Sequence, residues 1–354
     1  MKEKIIVVGG YGQVGKVISD ELGKIYPYKV YAAGRNFQKA EQFSVRTGRK
    51  VLPLQLDMNE PIAGDFFRDV SMVVMCLDLK NTDFIQSCVK HQVDYIDITA
   101  DYSVMSKTQE IRPEESTVVL SVGLAPGITN MLVKQGKNQL DQVDSADIYI
   151  LLGLGEAHGR AAIEWTVDNL SGDYSVIEKG NRKQVTSFSA GKKMDFSNRL
   201  GTKKAYRFNF SDQHVLPQTL GIPSVTTRLC FDSAVMTSLI ASLKRIGIVR
   251  WLKHPLIREK VVDLFEKSQW GSEVYVAKVD VTGQLNGQSV RYLGSIDGEK
   301  EFVVTGKVAA YVAKNVYAGQ YPPGVFHIEE LFQPTDLFID LRNIVTLEEK
   351  ILEV

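Results

Sequence analysis

A glycine-rich loop near the start of the chain constrains its fold more than any other segment. The loop reads Gly10-Tyr11-Gly12-Gln13-Val14-Gly15; it follows an apolar run at residues 4–8 and opens an amphipathic stretch at 14–25. In such a loop the first glycine permits a tight turn, the second lets backbone N–H groups approach a pyrophosphate, and the third lets helix and strand pack closely. The helix N-terminus adds unpaired N–H donors and a positive dipole end. We therefore expect these six residues to bind a dinucleotide.

The same alternation of apolar runs and helical patterns fills the first third of the chain. Further apolar runs lie at residues 29–33, 51–56, 72–77, 95–98 and 117–121, and helical patterns at 37–47 and 82–91. Runs that are apolar throughout are typical of a parallel sheet covered on both faces. The sequence therefore predicts an α/β fold that begins with a Rossmann doubly wound parallel sheet, over residues 1–126.

The pattern changes after the turn Gly123-Leu124-Ala125-Pro126-Gly127. Longer runs separated by turn residues follow at 147–152, 183–188, 203–208, 274–282 and 288–295. Repeated runs of this kind predict hairpins, and helical patterns lie among them. We expect a second α+β domain built on a mixed or antiparallel sheet, over residues 127–310.

Cofactor selectivity is predicted from the end of the second strand. An NAD-selective site usually has Asp or Glu there, to accept hydrogen bonds from the ribose 2′-OH. This chain has Arg35 and Asn36 instead, and Glu41 is the next carboxylate. A guanidinium binds a 2′-phosphate bidentately. The sequence favours NADP(H) over NAD(H); the alternative is a solvated arginine at a strand end.

Other candidate cofactor residues lie where later strands of this domain end. Asp57 either caps a loop or contacts the adenine amine. Cys76 and Leu77 are expected to line the path of the pyrophosphate and the nicotinamide ribose through their backbone atoms. Thr99 belongs to the acidic, hydroxyl-bearing segment 97–102, which is suited to hold an amine or ketone beside the nicotinamide.

Candidate catalytic residues come from both domains. His158 lies in the glycine-rich segment 153–160 and is the best-placed histidine for proton transfer. Tyr102 is a second candidate for the proton, and Arg160 is a candidate ligand for a substrate carboxylate. The alternatives are an ordinary polar loop around His158 and a Tyr102 that faces water.

Composition narrows the range of partners. Lys+Arg and Asp+Glu are both 42, so no net charge attracts the chain to nucleic acid or anionic lipid. The three cysteines show no zinc spacing, so no metal site is predicted, and reduced thiols fit a cytoplasmic protein. No apolar run approaches the roughly 20 residues of a membrane span. We expect a small-molecule substrate and neither a nucleic-acid nor a membrane partner.

Several of these segments together resemble the saccharopine dehydrogenase-like family. The N-terminal part of the resemblance is the glycine loop with Ala33-Gly34-Arg35-Asn36. The segment 91–99 resembles the family's G-x-x-Y-V-D-x-T motif, and 123–128 resembles its G-x-D-P-G turn with Ala125 in place of Asp. Residues 318–332, which include Tyr321-Pro322-Pro323-Gly324-Val325 and Glu329-Glu330-Leu331-Phe332, resemble its C-terminal motif.

The resemblance implies an enzyme, an NADP-dependent dehydrogenase or reductase that transfers hydride at a C–N bond of an amino-acid-like or polyamine-like substrate. It also implies that helices in residues 311–354 return to the Rossmann domain and that a homodimer forms through the sheet of the second domain. Two alternatives stay open. One is a catalytically silent NADP(H)-binding sensor, and the other is an oxidoreductase that acts on a C–O or C=C bond.

Overall fold

The computed structural model describes residues 2–156, 159–196, 200–267 and 271–353. The chain divides into two compact units. The first unit comprises Met1–Gly127 and Phe302–Leu341, and the second comprises Ile128–Glu301 and Arg342–Val354.

Strands are found in both units. In chain order they are β1 (Lys4–Val8), β2 (Val30–Gly34), β3 (Val51–Gln55), β4 (Val70–Met75), β5 (Asp94–Asp97), β6 (Thr117–Leu120), β7 (Gln142–Leu152), β8 (Asp173–Glu178), β9 (Asn181–Thr186), β10 (Lys192–Asp195), β11 (Thr202–Arg207), β12 (Val225–Phe231), β13 (Val274–Leu285), β14 (Gln288–Glu299), β15 (Gly324–His327) and β16 (Thr346–Glu353).

Helices separate many of these strands. They are α1 (Gln13–Ile25), α2 (Phe37–Arg46), α3 (Asp83–Lys90), α4 (Tyr102–Thr108), α5 (Thr129–Asn138), α6 (Arg160–Ser171), α7 (Asp212–Thr219), α8 (Ala234–Arg245), α9 (Pro255–Lys267), α10 (Glu301–Ala318), α11 (Ile328–Leu331) and α12 (Pro334–Leu341). None of the helices in the described residues is both long and apolar enough to span a lipid bilayer.

The first unit is built on a parallel sheet with the strand order β15-β6-β5-β4-β1-β2-β3. The apolar runs of β1 and β4 are almost fully buried, as expected for central strands covered on both faces. The order in which successive strands are added to the sheet reverses at β1, which lies between β2 and β4. In such sheets ligands bind beyond the carboxyl ends of the strands at this reversal point.

The second unit is built on a mixed sheet with the order β10-β11-β12-β7-β13-β14-β16. The pair β12–β7 is parallel, and the other pairs in this sheet are antiparallel. A separate antiparallel hairpin is formed by β8 and β9. The predicted fold class, a Rossmann sheet with a second domain on a mixed sheet, is confirmed.

The C-terminal segment differs in part from the prediction. Helices α11 and α12 lie in the first unit, but β15 adds a parallel strand beside β6, and β16 pairs with β14 in the second unit, where the sequence predicted helices. The charged residues of β16 suit the exposed edge of a sheet. Backbone pairing with β14, and not intrinsic propensity, therefore makes this segment a strand.

Candidate functional site

The glycine loop lies at the carboxyl edge of the first sheet, the edge where strands β1 to β6 end. It joins Val8, the end of β1, to Gln13, the start of α1. A Cβ atom on Gly15 would lie 2.1 Å from the carbonyl oxygen of Gly9, and one on Gly10 would lie 2.6 Å from that of Val7. The N-cap residue Gly12 forms no side-chain cap. The loop therefore presents backbone and the first turn of α1, with Gln13 and Val14, to a ligand.

Tyr11 and Gly34 fit together at the neighbouring strand end. A Cβ atom on Gly34 would lie 2.4 Å from Tyr11 Oη, so only glycine admits the phenol there. The hydroxyl of Tyr11 accepts a hydrogen bond from the backbone N–H of Asn36, at 3.0 Å. The Asn36 side chain in turn caps α2, since Oδ1 accepts from the N–H of Lys39 at 2.9 Å.

Arg35 lies between these residues with its side chain exposed. No ion pair or side-chain hydrogen bond engages its guanidinium among the described residues. A guanidinium beside a helix N-terminus is suited to bind an anion, because its charge adds to that of the N–H donors in the first turn. The β2–α2 junction therefore fits the 2′-phosphate of NADP(H).

Asp57, Cys76 and Leu77 lie along the same edge. Asp57 Oδ1 accepts hydrogen bonds from the backbone N–H and the side-chain amide of Asn59, at 3.0 and 2.9 Å, which is the loop-capping alternative. Its contact with adenine stays a prediction. Cys76 N–H donates to the carbonyl of Val8 at 3.0 Å, and burial raises the pKa of its thiol. The exposed Leu77 lies against Gly9 of the glycine loop.

A buried carboxyl at the end of β5 was not singled out by the sequence. Asp97 is 1% exposed and accepts hydrogen bonds from the hydroxyl of Tyr95 at 2.9 Å and the N–H of Thr99 at 2.7 Å. Burial raises the pKa of Asp97 to about 7, against these two hydrogen bonds, and the charge of Asp78 raises it further. Its only sequence signal is a carboxylate at the end of an apolar strand.

Thr99, a predicted cofactor residue, connects this carboxyl to a second one. Its hydroxyl donates to Asp78 Oδ1 at 3.0 Å while its N–H binds Asp97. Segment 97–101 is therefore held as a turn with hydroxyl and carboxylate groups at the carboxyl edge. Helix α4 follows at once, capped by Asp101, whose Oδ1 accepts from the N–H of Ser103 at 2.7 Å.

A second buried group fixes the chain where β6 ends. The fully buried His327 lies with Nδ1 2.7 Å from the hydroxyl oxygen of Ser121 and with Nε2 2.8 Å from the amide nitrogen of Gln109. Since an amide nitrogen only donates, Nε2 accepts and Nδ1 donates to Ser121. Burial lowers the pKa of His327 to about 4, so the ring is neutral. Ser121, which has φ +58°, is thereby fixed just before the turn 123–127.

The three predicted catalytic residues have different surroundings. His158 lies outside the described residues. Tyr102 begins α4, and its ring packs against the core of the first unit. Arg160, the first residue of α6, forms ion pairs with four carboxylates. A role for Arg160 in binding a substrate carboxylate stays a prediction, and it would require the side chain to leave these partners.

Comparison with known proteins agrees with the geometry of the first unit. Residues 5–121 match the family model described as the saccharopine dehydrogenase NADP binding domain. A sequence comparison with curated proteins gives no match. Among solved structures, the whole chain is similar in fold to the apo form of saccharopine dehydrogenase (L-Glu forming) from Saccharomyces cerevisiae. The TM-score is 0.72 and the identity 15%, over 99% of this chain and 100% of that one.

Two further solved structures are more distant. A probable dehydrogenase from Thermotoga maritima is 10% identical, with a TM-score of 0.44 over 96% of this chain and 93% of that one. The C. glutamicum DAP dehydrogenase in complex with DAP is 13% identical, with a TM-score of 0.42 over 97% of this chain and 99% of that one.

The parallel sheet, the glycine loop and the matched NADP-binding domain define an oxidoreductase of the dehydrogenase class that uses NADP(H). More narrowly, residues 5–121 match the saccharopine dehydrogenase NADP binding domain, in agreement with the resemblance noted in the sequence.

Proposed function

We propose that this chain is an NADPH-dependent oxidoreductase that acts on the C–N bond of an amino-acid-like or polyamine-like substrate. The observation that carries the proposal is the β2–α2 junction, where Arg35 has no carboxylate partner among the described residues; it precedes the N-terminus of α2 and lies within a family-matched NADP-binding domain. Arg35 and the N–H groups of α2 would bind the 2′-phosphate, and the glycine loop with the start of α1 would bind the pyrophosphate.

When bound, NADPH supplies the hydride, and the chain has to orient the substrate and provide a proton. We assign the first to the segment around Thr99, because hydrogen bonds to Asp97 and Asp78 fix the backbone and the hydroxyl of this residue. We treat Asp97 as a positioning residue, since it is buried behind this turn. His158 and Tyr102 remain the candidates for the proton.

The choice of a C–N bond is supported by the likeness in fold to saccharopine dehydrogenase (L-Glu forming). The carboxylates and hydroxyls of segment 97–101 agree with it, because an amine is protonated at neutral pH and binds to such groups. A small-molecule substrate and a homodimer are parts of the same proposal.

A substrate panel with NADPH tests the proposal. One arm offers 2-oxo acids and aldehydes together with amino acids or diamines, which form imines in solution. The second arm offers the same carbonyl compounds alone, and the third offers enones. We expect NADPH absorbance to fall only in the first arm. Equal consumption in the first and second arms would contradict a C–N bond and favour C–O chemistry, and consumption in the third arm alone would favour C=C chemistry.

Two substitutions test the proton assignment with the substrate found in that panel. His158→Ala and Tyr102→Phe are each expected to lower kcat while NADPH binding is retained, because neither residue lies in the glycine loop or the β2–α2 junction. If both variants turn over like the wild type, the proton is provided by another group.

The second candidate function is an NADP(H)-binding sensor without turnover. It is favoured by Ala125, which replaces the Asp of the family's G-x-D-P-G turn. Tight NADPH binding together with no consumption in any arm of the panel would support the sensor over the enzyme.

A further inference from the structure

Two buried arginines stand side by side on the sheet of the second unit. Arg207 of β11 and Arg228 of β12 are direct partners in the antiparallel register, and each side chain is 9% exposed. Directly opposite residues point to the same face, with Cβ atoms about 5 Å apart. Like charges in this arrangement destabilise a sheet, and buried charges need compensation.

The carboxylates that pair with the two arginines do not fully compensate their positive charge. Arg207 Nη2 donates to Glu178 Oε1 at 3.1 Å, but Glu178 is shared with Lys183. Arg228 Nη1 donates to Asp147 Oδ1 at 2.5 Å, but Asp147 is shared with Lys192, whose Nζ lies 2.7 Å from Oδ2. Each carboxylate therefore serves two cations.

Among the described residues, neither of two other carboxylates of the second unit, Asp280 and Asp212, pairs with the two arginines. Asp280 of β13 lies opposite Asp147 and pairs with Arg291 through two hydrogen bonds, of 3.0 and 2.5 Å. Asp212 accepts from the hydroxyl of Thr227 at 2.5 Å. Thr227 precedes Arg228 in β12, so its side chain points to the opposite face of the sheet.

Both arginines also retain donors that no protein acceptor uses. Arg207 Nη1 and Arg228 Nε are buried and have no hydrogen-bond partner among the described residues. Arg228 is held in place by the ring of Tyr149, whose centroid is 5.6 Å from the guanidinium carbon. A buried charged donor without an acceptor destabilises the fold, because it has lost its hydrogen bonds to water.

We propose that Arg207 and Arg228 form a binding site for the carboxylate group of a small molecule. The planar carboxylate matches guanidinium donors in shape and supplies the missing negative charge, with one oxygen for Arg207 Nη1 and the other for Arg228 Nε. This site lies within the second unit and uses none of the residues assigned to NADPH.

Calorimetry with glutarate tests the site on the full chain. Wild type should bind glutarate, and the neutral glutaramide should not bind. Arg207→Met and Arg228→Met should each weaken glutarate binding about ten-fold or more, the loss of one charge-assisted hydrogen bond. Arg182→Met, at an exposed arginine of β9, is the matched control and should bind like the wild type.

Two further variants make the outcome decisive. Arg228→Lys keeps the charge but lacks the Nε–H, so it should fold like the wild type and still bind glutarate more weakly. Arg35→Gln should leave glutarate binding unchanged, which separates this site from the proposed cofactor site. No glutarate binding by the wild type, or equal affinity in Arg228→Lys, Arg228→Met and the wild type, would overturn the proposal.

Discussion

The carboxyl edge of the first sheet and the start of α6 in the second unit both contain an arginine that the sequence suggested as an anion ligand. The guanidinium nitrogens of Arg160 all pair with carboxylates of the protein. Nε lies 3.0 Å from Glu164, Nη1 lies 2.9 and 2.8 Å from Asp263 and Glu266, and Nη2 lies 2.5 Å from Glu259. The guanidinium of Arg35 forms no ion pair and no side-chain hydrogen bond with the described residues. The same residue type is thus paired in one place and left available in the other.

The buried carboxyl of Asp97 extends this contrast. It lies at the carboxyl edge with hydrogen bonds from Tyr95 and Thr99, and no cation of the described residues pairs with it, whereas the carboxylates around Arg160 share a guanidinium. Charges left without a counter-charge lower stability unless a ligand uses them. What separates a candidate binding residue from a structural one is therefore the donors and charges that the fold leaves uncompensated.

The largest effect on NADPH binding is expected from one methyl group added to the glycine loop at the carboxyl edge. Gly15→Ala would place Cβ 2.1 Å from the carbonyl oxygen of Gly9, where backbone has to move. We expect NADPH binding to fall by at least about a hundred-fold, because the loop no longer approaches the pyrophosphate. Equilibrium binding by NADPH fluorescence measures the change.

Gly172→Ala is the matched control for this substitution. A Cβ atom there has no other atom within 4 Å, and its φ of −77° is open to alanine. The control should bind NADPH like the wild type and unfold at about the same temperature. Wild-type affinity in Gly15→Ala would show that the carboxyl edge does not hold the cofactor.

The uncompensated Asp97 should make stability depend on pH. The folded chain holds this proton up to a pH of about 7, while an unfolded Asp releases it near pH 4. The wild type should therefore lose stability relative to Asp97→Asn as the pH rises through this window, by an amount on the order of 4 kcal/mol. Urea unfolding of both proteins at several pH values measures the difference.

Asp101→Asn provides the comparison, because asparagine also caps a helix. Its stability difference from the wild type should stay nearly constant over the same pH window. If the difference between the wild type and Asp97→Asn is equally constant, Asp97 does not hold its proton in the folded chain.

The smallest effect is expected at Arg160. Its side chain is 41% exposed, and water screens ion pairs at such positions. Arg160→Gln should lower the midpoint of urea unfolding only slightly and leave NADPH affinity unchanged. A loss of turnover at unchanged stability would instead restore Arg160 as a substrate ligand.

The sequence predicts the first unit well because its signals are local. The glycine loop, the apolar runs and Arg35 at a strand end each indicate their place without knowledge of the rest of the chain. The contacts that distinguish Arg160 from Arg35 are not local, since Glu259 and Glu266 reach Arg160 from α9. The strands β15 and β16 were missed for the same reason, because their pairing partners are remote in sequence.

Buried polar groups are the other part that the sequence does not predict. In the sequence, Asp97 is one acidic residue of a polar loop, and His327 is part of a C-terminal motif. Burial of both, and the contact of His327 with Ser121, depend on how β5, β6 and β15 pair.

The measurement that tests the account most directly is the ratio of the dissociation constants for NADH and NADPH, in the wild type and in Arg35→Gln. We expect the wild type to bind NADPH more tightly. Arg35→Gln should weaken NADPH binding about ten- to a hundred-fold and leave NADH binding nearly unchanged, because only the 2′-phosphate loses its charged partner. Tighter binding of NADH by the wild type, or an equal loss for both nucleotides in the variant, would contradict the role of Arg35.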